Sequence, residues 1–421
     1  MKKNFLFVLA AALMMAACSK QESIESTPAI PTAKTSMSNM RSYEEALRIA
    51  ENAIGMLEDS KSSTRSTEKC RKINLSENKV IMRDAKTRGE SGASDSLIYV
   101  FNFENNEGFA LVSASKNTEG LLAVTEKGHF EPDHPSDIKG FDDFLSLAKE
   151  YVINAPAGEF SHVENGLTDI VFEYITVGPY LEVKWGQGKG KVEGELFSNK
   201  VAGCANIALG QIMTYYEYPD SIALTYKDAD VSMQNLPWSS MRLHNNGNTH
   251  SETFLPGVCK NMSAHKAIAR LIRQLGELNH SYPDGDETAT TALYIPQTMN
   301  TLGYTVSATA LSAIRSEIDN NHLMFVTGKN YQYLYDSHAW VMDGYKKEIQ
   351  KERTIINGLT HDTVTGVFYY NHFNWGDYGA YNGYFSENIY AQSTVYWPDN
   401  GPSLSEAEDY KYNVVFRSIY R

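Results

Sequence analysis

The chain has 421 residues, 42% of them hydrophobic and 21% charged, which fits a globular protein of two or three domains with a large core. Its formal charge is −13 at neutral pH and no basic stripe runs through it. Nucleic acid is therefore a poor partner, because phosphate binding needs a clustered basic face.

Residues 1–17 read as a targeting signal. Lys2 and Lys3 precede a short apolar run from Phe5 to Ala17 that ends in small residues, too short to span a bilayer but suited to a signal peptide. Met15-Ala16-Ala17-Cys18 resembles a bacterial lipobox, so Cys18 is the expected lipidation site. The plainer alternative is a signal peptide cut near Ala17, with Cys18 incidental. Residues 18–40, rich in Ser, Thr, Lys and Pro, read as a tether. An exported lipoprotein is expected, held at the outer membrane or cell surface through its lipid, with release after maturation as the alternative.

A helix is expected over residues 42–56, where Ala46, Leu47, Ile49, Ala50, Ala53 and Ile54 recur on one face. Ser42 and Glu45 have the spacing of a capping box. Strand-like runs follow at 80–82, 97–103, 109–113 and 121–125, with Asn105-Asn106-Glu107-Gly108 as a hairpin turn, and residues 141–153 return to helix. This makes a small α+β domain, bounded at 41–168 because residues 154–168 lack periodicity. Residues 169–421 remain for a second, larger domain.

Beyond Cys18, the cysteines are Cys70, Cys204 and Cys259, an odd number that leaves at least one free thiol in an exported protein. No C-x-x-C or H-E-x-x-H occurs, so zinc has no support. Cys204 follows Gly203 and precedes a helical pattern, Ile207, Ala208, Ile212 and Tyr215. A thiol at a helix N-terminus is stabilised as thiolate by the dipole and free amides, whereas a buried inert cysteine is the bland alternative. Such a nucleophile needs an imidazole, and the imidazole an orienting group. His338, in Ser337-His338-Ala339-Trp340, is expected on a short strand ending at Gly344. It stands 134 residues after Cys204, a separation also found in papain-like enzymes. Asn374 can accept from the imidazole N–H and Trp375 can shield that bond; the bland reading of this stretch is an aromatic-rich turn. His372, two residues before Asn374, reads as structural.

Taken together, Lys184-Trp185-Gly186-Gln187, Gly203-Cys204 before Gln211-Ile212-Met213, His338-Ala339 before Asp343-Gly344-Tyr345, and Asn374-Trp375-Gly376 before Asn382-Gly383-Tyr384 resemble the streptopain family of papain-like cysteine peptidases. Tyr99-Val100-Phe101-Asn102 and residues 108–113 are similar to that family's inhibitory propeptide. The resemblance implies an α+β, papain-like catalytic domain, with a helical part carrying Cys204 and an antiparallel sheet carrying His338 and Asn374. It implies Cys204 as nucleophile, His338 as general base and acid, Gln187 as oxyanion donor, Asn374 orienting His338, and Trp375 covering the pair. Substrates would be proteins or peptides, the propeptide an intramolecular inhibitor, and no cofactor would be needed. Residues 188–191, Asn206, Ile207, Asp336-Ser337 and Asp377 depart from the family pattern near the cleft. Two other readings share the sequence: a Cys–His amidase or acyl transferase, and a catalytically silent surface binding protein.

Overall fold

The computed structural model describes residues 39–58, 71–83, 96–134, 136, 138–156, 169–187, 201–227, 229–243, 262–285, 287–330, 337–356, 359–391 and 412–421. The expected signal segment, Cys18, Cys70, Cys259, residues 188–191 and Asp336 lie outside them.

Helix α1 (Tyr43–Glu58) begins at the expected capping box. The Ser42 amide donates to Glu45 Oε2 at 2.7 Å and the Glu45 amide to Ser42 Oγ at 3.2 Å. Its face of Ala46, Ala50, Ala53, Ile54 and Leu57 is buried against an antiparallel meander, β1 (Lys79–Met82), β2 (Ser96–Asn102), β3 (Phe109–Ser113) and β4 (Leu121–Thr125). The β2–β3 turn puts Asn105 and Asn106 at φ 60° and 57°, a region that asparagine tolerates better than most side chains. Helix α2 (Lys139–Asn154) covers the other face with Phe141, Phe144, Ala148, Tyr151 and Val152.

Strand β5 (Asp169–Val177) opens the larger part of the chain. Helix α3 (Cys204–Tyr216) follows, then the ribbon β6 (Ser221–Ala223) with β7 (Met233–Asn235), helices α4 (Trp238–Leu243) and α5 (Met262–Leu278), and the ribbon β8 (Tyr282–Asp284) with β9 (Glu287–Ala289). After α6 (Ile295–Thr301), β10 (Thr305–Thr309) and α7 (Ile314–Asp319) come the long strands β11 (Leu323–Asn330), β12 (Ser337–Ile356) and β13 (Leu359–Asn374). Strand β14 (Gly383–Ser386), helix α8 (Glu387–Ala391) and β15 (Tyr412–Tyr420) complete the fold. Helices α3 and α5 pack around Ile207, Ile212, Leu271, Ile272 and Leu275. They approach closely at Gly210, where a Cβ would lie 2.7 Å from Ile272 Cδ1 and push that methyl aside. The expected architecture is therefore present: a helical part carrying Cys204, an antiparallel sheet carrying His338 and Asn374, and a small α+β unit before them.

Two features differ from expectation. The strand after His338 does not stop at Gly344. It breaks register between Met342 and Gly344 and runs on to Ile356, pairing with β13 on one side and β5 on the other. The two parts of the chain also share one sheet, ordered β1-β2-β3-β4-β14-β13-β12-β11-β15-β10 among the described residues. The join is β4 to β14, with Thr125 opposite Gly383 and Ala123 opposite Phe385. Asn39–Arg421 is accordingly one compact unit.

Buried polar groups reinforce this seam. Lys346 of β12, fully buried, donates to the Met56 carbonyl in the last turn of α1, where a cation complements the helix dipole. Glu119 accepts from Tyr151 within the N-terminal part and from Ser386 across the join, and its burial pushes the carboxyl up from its ordinary value.

Candidate active site

The position of Cys204 is set by backbone. Gly203 has φ 81°, a left-handed conformation that glycine enters without strain, and the chain turns there directly into α3. Cys204 is the helix's first residue and half-buried. Thr288 braces the preceding loop, its Oγ1 donating to the Val201 carbonyl at 2.7 Å. Asn206 is buried beneath, donating to the Ala202 carbonyl at 3.0 Å and to Ser281 Oγ at 3.1 Å while accepting from Asn279 Nδ2 at 3.1 Å. This departure from the family pattern thus ties the loop before Cys204 to Asn279 and Ser281.

His338, near the start of β12, lies within electrostatic reach of the Cys204 thiol. Its Nε2–H donates to the Trp375 carbonyl at 3.2 Å, which leaves Nδ1 as the nitrogen available to sulfur. Burial alone would push the thiol up, but His338, with contacts to the Ala339 and Ala205 backbone, pulls it below the ordinary thiol value. Burial likewise pushes the imidazole down; Cys204, the Trp375 carbonyl and the Asp143 carboxylate outweigh it and raise His338. The two groups thus favour thiolate and imidazolium together. Trp340 lies parallel to the imidazole, 17° between planes and 6.1 Å between centroids.

Trp375 is fully buried, its indole N–H donating to the Tyr381 carbonyl at 3.0 Å and its amide to Asn382 Oδ1 at 3.1 Å. It lies beside His338, and its own carbonyl takes the bond expected of Asn374. Asn374 sits one residue earlier, at the end of β13, with its side chain turned elsewhere. Its Nδ2 donates to the Val183 carbonyl at 2.9 Å, and its Oδ1 accepts from the Gly376 amide at 3.2 Å and Gln211 Nε2 at 3.4 Å. Asn374 therefore reaches the imidazole only through its neighbour's backbone. Gln187 is tied to the nucleophile loop, its carbonyl accepting from the Ala202 amide at 3.2 Å.

The start of α2 lies against this site. A Cβ on Gly140 would come within 2.7 Å of His338 Cδ2 and of Trp375 Cε3, so the helix backbone touches both rings. Nothing in the sequence around Gly140 or Asp143 signals this contact, since it depends on how the N-terminal part docks.

His372, on β13, does not face the thiol. It is paired with Asp343, Nδ1 to Oδ1 at 2.6 Å, and lies 3.6 Å from Glu126 Oε1. Burial pushes its imidazole down, but the Asp343 carboxylate and then Glu126 raise it to about 9. Asp343 Oδ2 accepts from the Leu181 amide at 2.8 Å, which locks the pair to the segment entering the site. The sequence showed Asp343 only as part of a motif, with no sign of its partner. Among the described residues no group of three or more His, Cys, Asp or Glu side chains is placed to hold a metal.

Two family models match stretches of the chain. Residues 185–385 match the Peptidase C10 family, and residues 35–152 match the Spi protease inhibitor family. The thiol protease/hemagglutinin PrtT of Porphyromonas gingivalis is 23% identical over 327 residues, 70% of this chain and 34% of that protein. The chain thus spans about a third of the length of this curated relative. A solved fragment of Prevotella intermedia prointerpain A is 17% identical with a TM-score of 0.45, covering 80% of this chain and 98% of the fragment. Active interpain A from the same organism is 17% identical with a TM-score of 0.35, over 50% of this chain and 85% of that one.

Proposed function

We propose, for a chain that carries a Peptidase C10 domain of the streptopain family behind a Spi-type protease inhibitor domain, that it is the precursor of a cysteine peptidase whose N-terminal part holds it inactive. The observation that carries this reading is the Cys204–His338 pair, thiol lowered and imidazole raised, at the head of α3.

The thiolate sulfur attacks the carbonyl carbon of a peptide bond, and the oxygen becomes an oxyanion. The Cys204 amide at the helix N-terminus and the Gln187 side chain are its donors, each worth about 2.7–4 kcal/mol in such sites. His338 gives its proton to the departing nitrogen as the C–N bond breaks, leaving a thioester on Cys204. Water then attacks the thioester carbon while His338 takes its proton, and the C–S bond breaks to return the thiolate. No step calls for a bound cofactor. Substrates are unstructured proteins or peptides outside the cytoplasm, and the export signal with the lipobox-like Met15-Ala16-Ala17-Cys18 supports a lipoprotein tethered through Cys18.

Protein lacking residues 1–18 should be incubated under reducing conditions beside its Cys204→Ala variant. The wild type should shorten by roughly the mass of the N-terminal part and gain activity on an unstructured protein, while the variant stays whole and inactive. Equal hydrolysis by both would sink the mechanism.

A further inference from the structure

We infer that Gln211 is a positioning residue of the Cys–His pair, setting the spacing between the strand that holds His338's acceptor and the segment that ends in Gln187. The inference rests on the peptidase reading above and deepens it.

Gln211 is seven residues after Cys204 on α3, two helical turns along the same face and about 10 Å down the axis. Its side chain is fully buried. Nε2 donates to the Trp185 carbonyl at 3.0 Å and to Asn374 Oδ1 at 3.4 Å. Asn374 Nδ2 donates in turn to the Val183 carbonyl at 2.9 Å. Gln211 and Asn374 therefore clamp alternate carbonyls of one short segment, two residues upstream of Gln187. From the other end of the clamp, Asn374 leads directly to Trp375, whose carbonyl holds His338 at 3.2 Å. One amide thus links the nucleophile's helix, the oxyanion segment and the imidazole's acceptor.

Two observations separate this from ordinary core packing. Both amides have only one workable orientation. The Val183 and Trp185 carbonyls can only accept, and Asn374 Oδ1 already accepts from the Gly376 amide, so a flipped Gln211 would set oxygen against oxygen at both contacts. Second, Gln211 Oε1 is buried with no hydrogen-bond partner among the described residues. An orphaned carbonyl costs stability that an apolar side chain of similar volume would not lose. A side chain serving stability alone would avoid that cost, whereas one serving placement must keep the two donated bonds.

The test uses the full-length chain and Gln211→Met, which keeps length and volume but cannot donate. Iodoacetamide labelling of Cys204, followed by mass spectrometry of its peptide, gives the thiolate's pH profile before any maturation. In Gln211→Met the Trp375 carbonyl drifts from Nε2, the imidazolium loses support and the thiolate appears at higher pH. Labelling at mildly acidic pH should then slow about tenfold, the equivalent of one pKa unit. Hydrolysis after activation should lose up to about 10²-fold in kcat with KM little changed. Should Gln211→Met not fold, Gln211→Glu is the second variant; its carboxylate faces the Trp185 and Asn374 oxygens, and the same shift should be larger. A folded variant with the wild-type labelling profile, or with a loss confined to Tm or KM, overturns the inference while leaving the peptidase reading intact. A wild-type Cys204 with no labelling limb at acidic pH overturns both.

Discussion

His338 and His372 sit on adjacent strands of one sheet, both buried and both raised above the ordinary imidazole value. His338 faces a half-exposed thiol, a group whose proton can be exchanged between the partners at little cost, and its other nitrogen rests on a backbone carbonyl. His372 faces the fully buried Asp343 side chain, with Glu126 beyond it. The first arrangement leaves a proton that can move within the reaction; the second fixes it. Burial is common to both, so the acidity of the partner decides whether an imidazole serves chemistry or architecture.

The comparison can be broken at either end. Cys204→Ala removes the exchangeable partner, and hydrolysis of an unstructured protein should fall by about 10⁶-fold with the fold intact by circular dichroism. Asp343→Ala removes the fixed partner instead, leaving the buried His372 imidazole with Glu126 alone at 3.6 Å. Denaturant unfolding should then show a loss of about 3–5 kcal/mol. Gly140→Val probes the catalytic side from without. A side chain there must displace His338 or Trp375, and overpacking should weaken the hold of the N-terminal part by about 1–3 kcal/mol, read as faster iodoacetamide labelling of Cys204 in the precursor.

A pH series sharpens the contrast with the smallest effect. Because His372 is raised from 6.5 to about 9, its stabilisation is fully present below the lower value and is lost as pH rises through the upper one. Glu348, raised by burial from 4.5 to about 7, loses stability with the same sign earlier in the climb. Tm should therefore fall on the alkaline side in the wild type, and the difference curve against His372→Gln isolates the later step. A difference that stays flat up to pH 9 would show that the Asp343 pair does not hold the proton.

What the sequence made legible was local. The Ser42–Glu45 cap, the Asn105-Asn106 turn and the Gly203 entry to α3 each depend on residues a few positions apart, and all three appear where expected. The approach of His338 to Cys204 was reached through several motifs in order, not through any one spacing. Partner choice across the fold was not legible. Asn374 has the right chemistry to orient His338, yet the turn at Trp375-Gly376 aims its amide at Val183 and presents a carbonyl to the ring instead. Strand β12 was expected to end at Gly344, yet it runs on to Ile356 through the charged residues Lys346-Lys347-Glu348. Lys346 is buried there with the Met56 carbonyl of α1 accepting from it and the Tyr384 ring 5.0 Å away.

If the chain is the precursor proposed above, the join between β4 and β14 gives its activation a second clock. While the chain is continuous, the N-terminal part docks as a tethered group at high effective concentration. A cut between α2 and β5 ends that advantage without breaking a single rung of the shared ladder. The severed piece is then a bound fragment with its own off-rate, and free peptidase appears when the fragment leaves. Dilution after cleavage should hasten the gain in activity, and added fragment should reverse it, although neither alters the rate at which the chain is cut.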